Sequence, residues 1–136
     1  MVKKLTLPAL SRTILAKGIL NTLLGLVHIV GTFTTESRHI AGQGTALLRR
    51  DYLLWFTATG IFILFLGLID LACYAGLKSG EPLARRIATL DAAFALLAGA
   101  VGVAGFGISP PLVILVTGVA GLLALAAAQQ TEADGR

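Results

Sequence analysis

The chain has 136 residues, 56% of them apolar and only 13% charged, with a mean hydropathy of +0.86 and a formal net charge of +4. Soluble domains carry about a quarter of their residues as charges, so a chain of this length cannot hide its apolar surface from water and needs lipid to cover it. The positive balance does not point to nucleic acid. The basic residues fall in turns and at the ends of apolar runs, where they set membrane orientation and meet anionic headgroups.

Residues 1–13 form a basic, weakly amphipathic segment that reads as lying along the inner interface, with Pro8 and Ser11 as breakers or caps before the first helix. Lys3 and Lys4 ahead of an apolar stretch would suit a signal peptide, whose apolar region is ~7–15 residues and ends in a small-x-small cleavage site. Here the run is longer, contains Lys17 and Asn21, and offers no good cleavage site, so it reads as a retained helix.

Four apolar runs follow, Ile14–Phe33, Tyr52–Tyr74, Ile87–Phe106 and Leu112–Ala128, together about 80 of the 136 residues. Each is close to the ~20 residues that a helix needs to cross the hydrocarbon core. Residues 34–51 are read as the longest loop, with Gly42 and Gly44 giving irregular backbone, although Ala46–Tyr52 could begin the second helix early. Residues 75–86 read as a short turn, and Gly107-Ile108-Ser109-Pro110-Pro111 as a tight one whose prolines stop the third helix and seed the fourth. Residues 129–136 read as a polar, disordered tail. The predicted fold is all-α, an integral membrane up-down-up-down four-helix bundle: segment 1–13, a transmembrane domain over 14–128, and the tail 129–136.

Eight basic residues lie on the side of the N-terminus (Lys3, Lys4, Arg12, Lys17, Lys78, Arg85, Arg86, Arg136) and three on the other (Arg38, Arg49, Arg50). The positive-inside rule then places both termini in the cytoplasm. Cys73 is the only cysteine, which excludes an intrachain disulfide and a cysteine-pair metal site. It reads as a small buried hydrophobe, with a reactive thiol as the alternative. Ala95-xxx-Gly99, Ala98-xxx-Gly102, Gly118 and Gly121 make the third and fourth helices suited to close backbone approach in lipid.

The polar interruptions are the candidate functional residues: Lys17, Asn21, His28, Asp70 and Asp91. On the first helix Gly18, Asn21, Gly25, His28 and Thr32 are spaced 3, 4, 3 and 4 apart and fall on one stripe, which must face the interior because unpartnered polar groups in hydrocarbon are costly. Helical rise puts Lys17, Asn21, Asp70 and Asp91 at a similar level near the cytoplasmic side, from three helices, with His28 further out. In one reading the cluster only locks helices together, Lys17 pairing with one aspartate while the other snorkels or bonds to Asn21. In the other, two carboxylates held close in apolar surroundings form a proton or cation site.

His28 is read as a neutral imidazole bonded to Thr57 or Thr59, against a role as a ligand contact, proton relay or haem ligand. His39 lies in the outer loop and the only methionine is the initiator, so neither a bis-histidine haem site nor a metal site is predicted, and no cofactor is expected. Trp55, with Tyr52 and Phe56, reads as an interfacial anchor or as the cap of a cavity near His28; Tyr74 anchors the opposite end.

Gly18…Gly25-Leu26-Val27-His28…Gly31 in the first helix, Tyr52…Trp55-Phe56…Gly60 opening the second and Gly67-Leu68 later in it resemble the small bacterial four-helix membrane proteins grouped as DoxX-like. The resemblance implies a four-helix bundle in the bacterial inner membrane, sometimes near redox or quinone partners, and hands over no catalytic residue. The chain also matches small multidrug transporters in size, but its first helix carries Asn21 and His28 in place of the acidic residue of that family.

Three functions compete: a membrane protein whose polar pocket binds or passes a small ligand, lipid or proton; an accessory subunit docking a larger membrane partner through the small-residue faces of helices three and four; and a membrane enzyme acting on a lipid or quinone through His28 or an aspartate. The expected partners are membrane lipid and either another membrane protein or a further copy of the chain, and not nucleic acid.

Overall fold

A computed structural model describes residues 7–106 and 111–134. The chain forms α1 (Leu7–Gly31), a π-helical turn (Thr32–Glu36), the single turn α2 (Ser37–His39), and then α3 (Ala46–Lys78), α4 (Pro82–Phe106) and α5 (Pro111–Asp134), with no strand among the described residues. Four helical stretches are long and apolar enough to cross a membrane: Pro8–His39, Ala46–Lys78, Pro82–Gly105 and Pro111–Gln129.

The helices outrun the apolar stretches that announced them. Pro8 and Ser11 do not precede α1 but lie in its first turns, where proline costs no intrahelical hydrogen bond and the Ser11 hydroxyl donates to the Pro8 carbonyl (3.0 Å). Leu10 and Ser11 are buried there. The expected loop 34–51 shrinks as well, because α1 passes into the π-helical turn and α2, and Thr45 caps α3 by accepting a hydrogen bond from the Leu48 N–H (3.3 Å). Only Ser79–Glu81 separate α3 from α4. There Gly80 takes φ +77°, the left-handed conformation that closes a helix, and donates its N–H to the Leu77 carbonyl (3.2 Å). α5 continues to Asp134, through most of the expected tail. The predicted Gly107–Pro110 turn lies outside the described residues, and Pro111 opens α5.

Glycine decides which helices touch most closely. A Cβ at Gly25 would sit 2.7 Å from Leu64 Cα, and one at Gly67 would sit 2.8 Å from the Gly18 carbonyl oxygen, so α1 and α3 meet backbone to backbone. Between α4 and α5 the same holds: a Cβ at Gly99 would lie 2.6 Å from Leu115 Cα, and one at Gly118 would lie 2.9 Å from Leu96 Cα. The two tight pairs join through α3 against α4 and α1 against α5.

The core is split. Leu10, Ile14, Cys73, Leu77, Ala88 and Leu125 belong to a cluster at the α3–α4 turn, whereas Ile63, Leu66, Ala95 and Ile114 form a second one in the other half. Outward faces are apolar on every long helix, with Leu23, Val27, Trp55, Phe65, Leu90, Leu97 and Leu123 all exposed.

Candidate functional site

Between the two core clusters runs a polar layer: Lys17 and Asn21 from α1, Asp70 from α3, Asp91 from α4 and Thr117 from α5, each buried. Every long helix contributes. The layer sits ten residues into α1, nine into α4 and eight from the end of α3, so a rise of ~1.5 Å per residue brings the three charged groups to one level.

Lys17 holds the centre. Its Nζ donates to Asp70 Oδ2 (2.6 Å) and to Asp91 Oδ2, with all three side chains almost wholly shielded. The arrangement corrects the expectation that only one aspartate would pair with Lys17 while the other sought Asn21 or the surface. Two glycines make the three-way contact possible. A Cβ at Gly18 would lie 2.9 Å from Asp70 Cβ, so the missing side chain lets α3 bring Asp70 in beside Lys17. A Cβ at Gly121 would lie 3.4 Å from Lys17 Cδ and 3.6 Å from Cε, so the methylene stem of Lys17 lies along a glycine of α5. Gly121 was read from sequence only as a small residue for helix packing, and its link to Lys17 needed the α1–α5 contact to be seen.

The charge balance is uneven. One ammonium serves two carboxylates among the described residues, and Oδ1 of each aspartate is buried without a hydrogen-bond partner. An uncompensated buried charge is expensive, and a carboxylate in such a place is stable when it takes up a proton or a cation. The site can therefore hold a proton between two carboxylates in contact with a fixed ammonium.

Asn21 lies one turn above Lys17 and faces α5, with Thr117 Oγ1 3.4 Å from its Oδ1. The Thr117 hydroxyl already donates to the Ile114 carbonyl (2.9 Å), and Asn21 Nδ2 has no partner as placed. Turning the amide over would let Nδ2 donate to the hydroxyl, a choice that hydrogen-bond logic favours. Thr117 carries no charge and sits in an apolar run, so nothing in the sequence singled it out.

His28 stands apart, ~16 Å further along α1 than Lys17. Its ring stacks on Phe56 with centroids 3.9 Å apart and planes 11° from parallel, in space left by Gly60. The expected bond to Thr57 or Thr59 is absent, since those hydroxyls donate to the Leu53 and Trp55 carbonyls of their own helix (2.8 and 2.9 Å). Nε2 of His28 is buried without a partner. Phe56 covers the imidazole, while Trp55 points outward, 76% exposed, which removes it as a cap over His28. The stripe predicted on α1, Gly18, Asn21, Gly25, His28 and Thr32, is buried along its whole length.

Among the described residues no three His, Cys, Asp or Glu side chains gather as a metal site would need. Comparison with family models, curated proteins and solved structures finds no match. The polar layer itself must carry the functional reading.

Proposed function

We propose that the chain is an up-down-up-down four-helix bundle of the bacterial cytoplasmic membrane, with both termini on the cytoplasmic side, that binds and passes a proton at Lys17, Asp70 and Asp91. The carrying observation is that two buried carboxylates share one buried ammonium and each keeps an oxygen without a partner. Intramembrane ionisable groups that cost this much mark ion or proton pathways by default. Above the charged cluster, Thr22 Oγ1 and His28 Nε2 are further buried polar atoms without partners along α1.

Neighbouring helices touch in opposite senses, which supports the up-down order: Gly18 with Asp70 and Gly25 with Leu64, then Gly99 with Leu115 and Gly118 with Leu96. Lys17 is committed to the carboxylates, yet seven basic residues still lie on the side of the termini against three on the other. A DoxX-like membership belongs to the same proposal: Gly18, Gly25, Gly60 and Gly67, four residues behind that resemblance, build the α1–α3 contact. Gly99, Gly102 and Gly118, among the small residues behind the accessory-subunit reading, pack between α4 and α5, which favours the proton reading.

The test is proton flux into vesicles holding the reconstituted protein and a pH-sensitive dye. The native chain should dissipate an imposed gradient. Asp70→Asn and Asp91→Asn each leave one ammonium against one carboxylate, so the fold should persist while the flux stops. Flux that survives both substitutions would sink the proposal.

A further inference from the structure

Two hollows meet on the outer side of α4, and they differ in chemistry. One, of about 370 Å³, is an apolar cleft between α3 and α4 walled by Phe62, Phe65 and Ile69 on one side and Leu90 and Phe94 on the other. The second, of about 720 Å³, lies at the bundle end that carries the α3–α4 turn, and its walls include Arg85, Arg86, Thr89 and Gln129. Leu90, 72% exposed, borders both. Among the described residues no acidic side chain lines the second hollow, and Gly80 and Pro82 place the N-terminus of α4, the positive end of its dipole, at its rim.

From this juxtaposition we propose a binding site for one anionic phospholipid, its phosphate against Arg86 and one acyl chain laid over Leu90 into the aromatic cleft. The geometry suits an amphiphile standing in a bilayer leaflet. Arg86 and Phe94 are eight residues apart on α4, ~12 Å along the axis, so the head meets charge at the helix end and the chain runs inward along the bundle. Arg86 is exposed and forms no ion pair with a described residue, whereas the cleft above it is almost wholly apolar. Guanidinium groups suit phosphate oxygens, which they can grip through two parallel hydrogen bonds. This site rests on the proposed membrane placement and adjoins the charged layer, since Asp91 also lines the cleft while Asp70 does not.

The full chain, delipidated in dodecyl maltoside, is titrated with dioleoylphosphatidylglycerol, dioleoylphosphatidylcholine or inorganic phosphate, and thermal unfolding is followed by circular dichroism. Binding to the folded state raises Tm by mass action. Phosphatidylglycerol should stabilise the protein; the zwitterionic lipid and free phosphate should not. Arg86→Gln should weaken the response about tenfold, the share expected of one charge-assisted contact. Phe94→Ala should weaken it through the chain. Arg50→Gln, an equal charge loss at the opposite end, and Asp70→Asn, which disables the proton site, should leave it intact. An equal response to both lipids, a full response to phosphate alone, or equal losses in Arg86→Gln and Arg50→Gln would overturn the site. Lipid selectivity in Asp70→Asn without proton flux would separate the two proposals.

Discussion

Replacing Lys17 with methionine removes a charge but little volume, so the stem still fits along Gly121 while Asp70 and Asp91 lose their shared ammonium. Both carboxylates are buried, and neither has another hydrogen-bond donor among the described residues. Breaking a buried ion pair from one side typically costs about 3–5 kcal/mol, because it strands a desolvated charge. The same range is expected here, since the pair that shares the ammonium loses it on both sides. Adding Asp70→Leu and Asp91→Leu to Lys17→Met removes every charge from the layer and should recover most of the lost stability, since replacing a whole buried ionic cluster by hydrophobic residues of similar volume is often close to neutral. Reversible unfolding in mixed micelles, run as a mutant cycle over the three positions, measures these terms. A Lys17→Met deficit below about 1 kcal/mol, the ordinary size of an interhelical polar contact in a membrane, or a triple variant as unstable as the single one, would refute the stranded-charge reasoning.

Gly25→Val should destabilise the protein by about 1–3 kcal/mol, the usual range for overpacking, because its Cβ alone would meet the Leu64 backbone at 2.7 Å; Gly31→Ala, with nothing within 4 Å, should be neutral or slightly stabilising in the same unfolding assay. Gly121→Val should press first on Ala92, 3.0 Å from its Cβ, and then on the Lys17 stem, so its loss should be reduced but not abolished in a Lys17→Ala background, and equal losses in the two backgrounds would disprove the coupling. Cys73, 6% exposed at the base of the bundle, should resist maleimide labelling in the native micelle and react fully after denaturation.

The four long apolar helices and the common level of Lys17, Asn21, Asp70 and Asp91 were legible in the sequence for a simple reason. Hydrocarbon thickness and helical rise convert residue counts into depth, and a stripe at spacings of 3 and 4 must turn to one side. Helix ends were read less well, because residues 7–13 and 129–134 are too polar for a hydropathy reading yet satisfy their backbones as helix all the same. Depth, however, is only one coordinate. Which helices lie side by side at a given depth depends on where backbones can approach, and that was set by Gly18, Gly25 and Gly67 on one seam and by Gly99 and Gly118 on the other. Only the tertiary structure therefore decided that Lys17 bridges both aspartates, that Thr117 rather than an aspartate meets Asn21, that Phe56 rather than a threonine covers His28, and that Arg86 and an aromatic cleft share the ridge of Leu90. The sequence by itself determined at which level along the helices each polar group lies; close packing at glycine determined which neighbour it meets there.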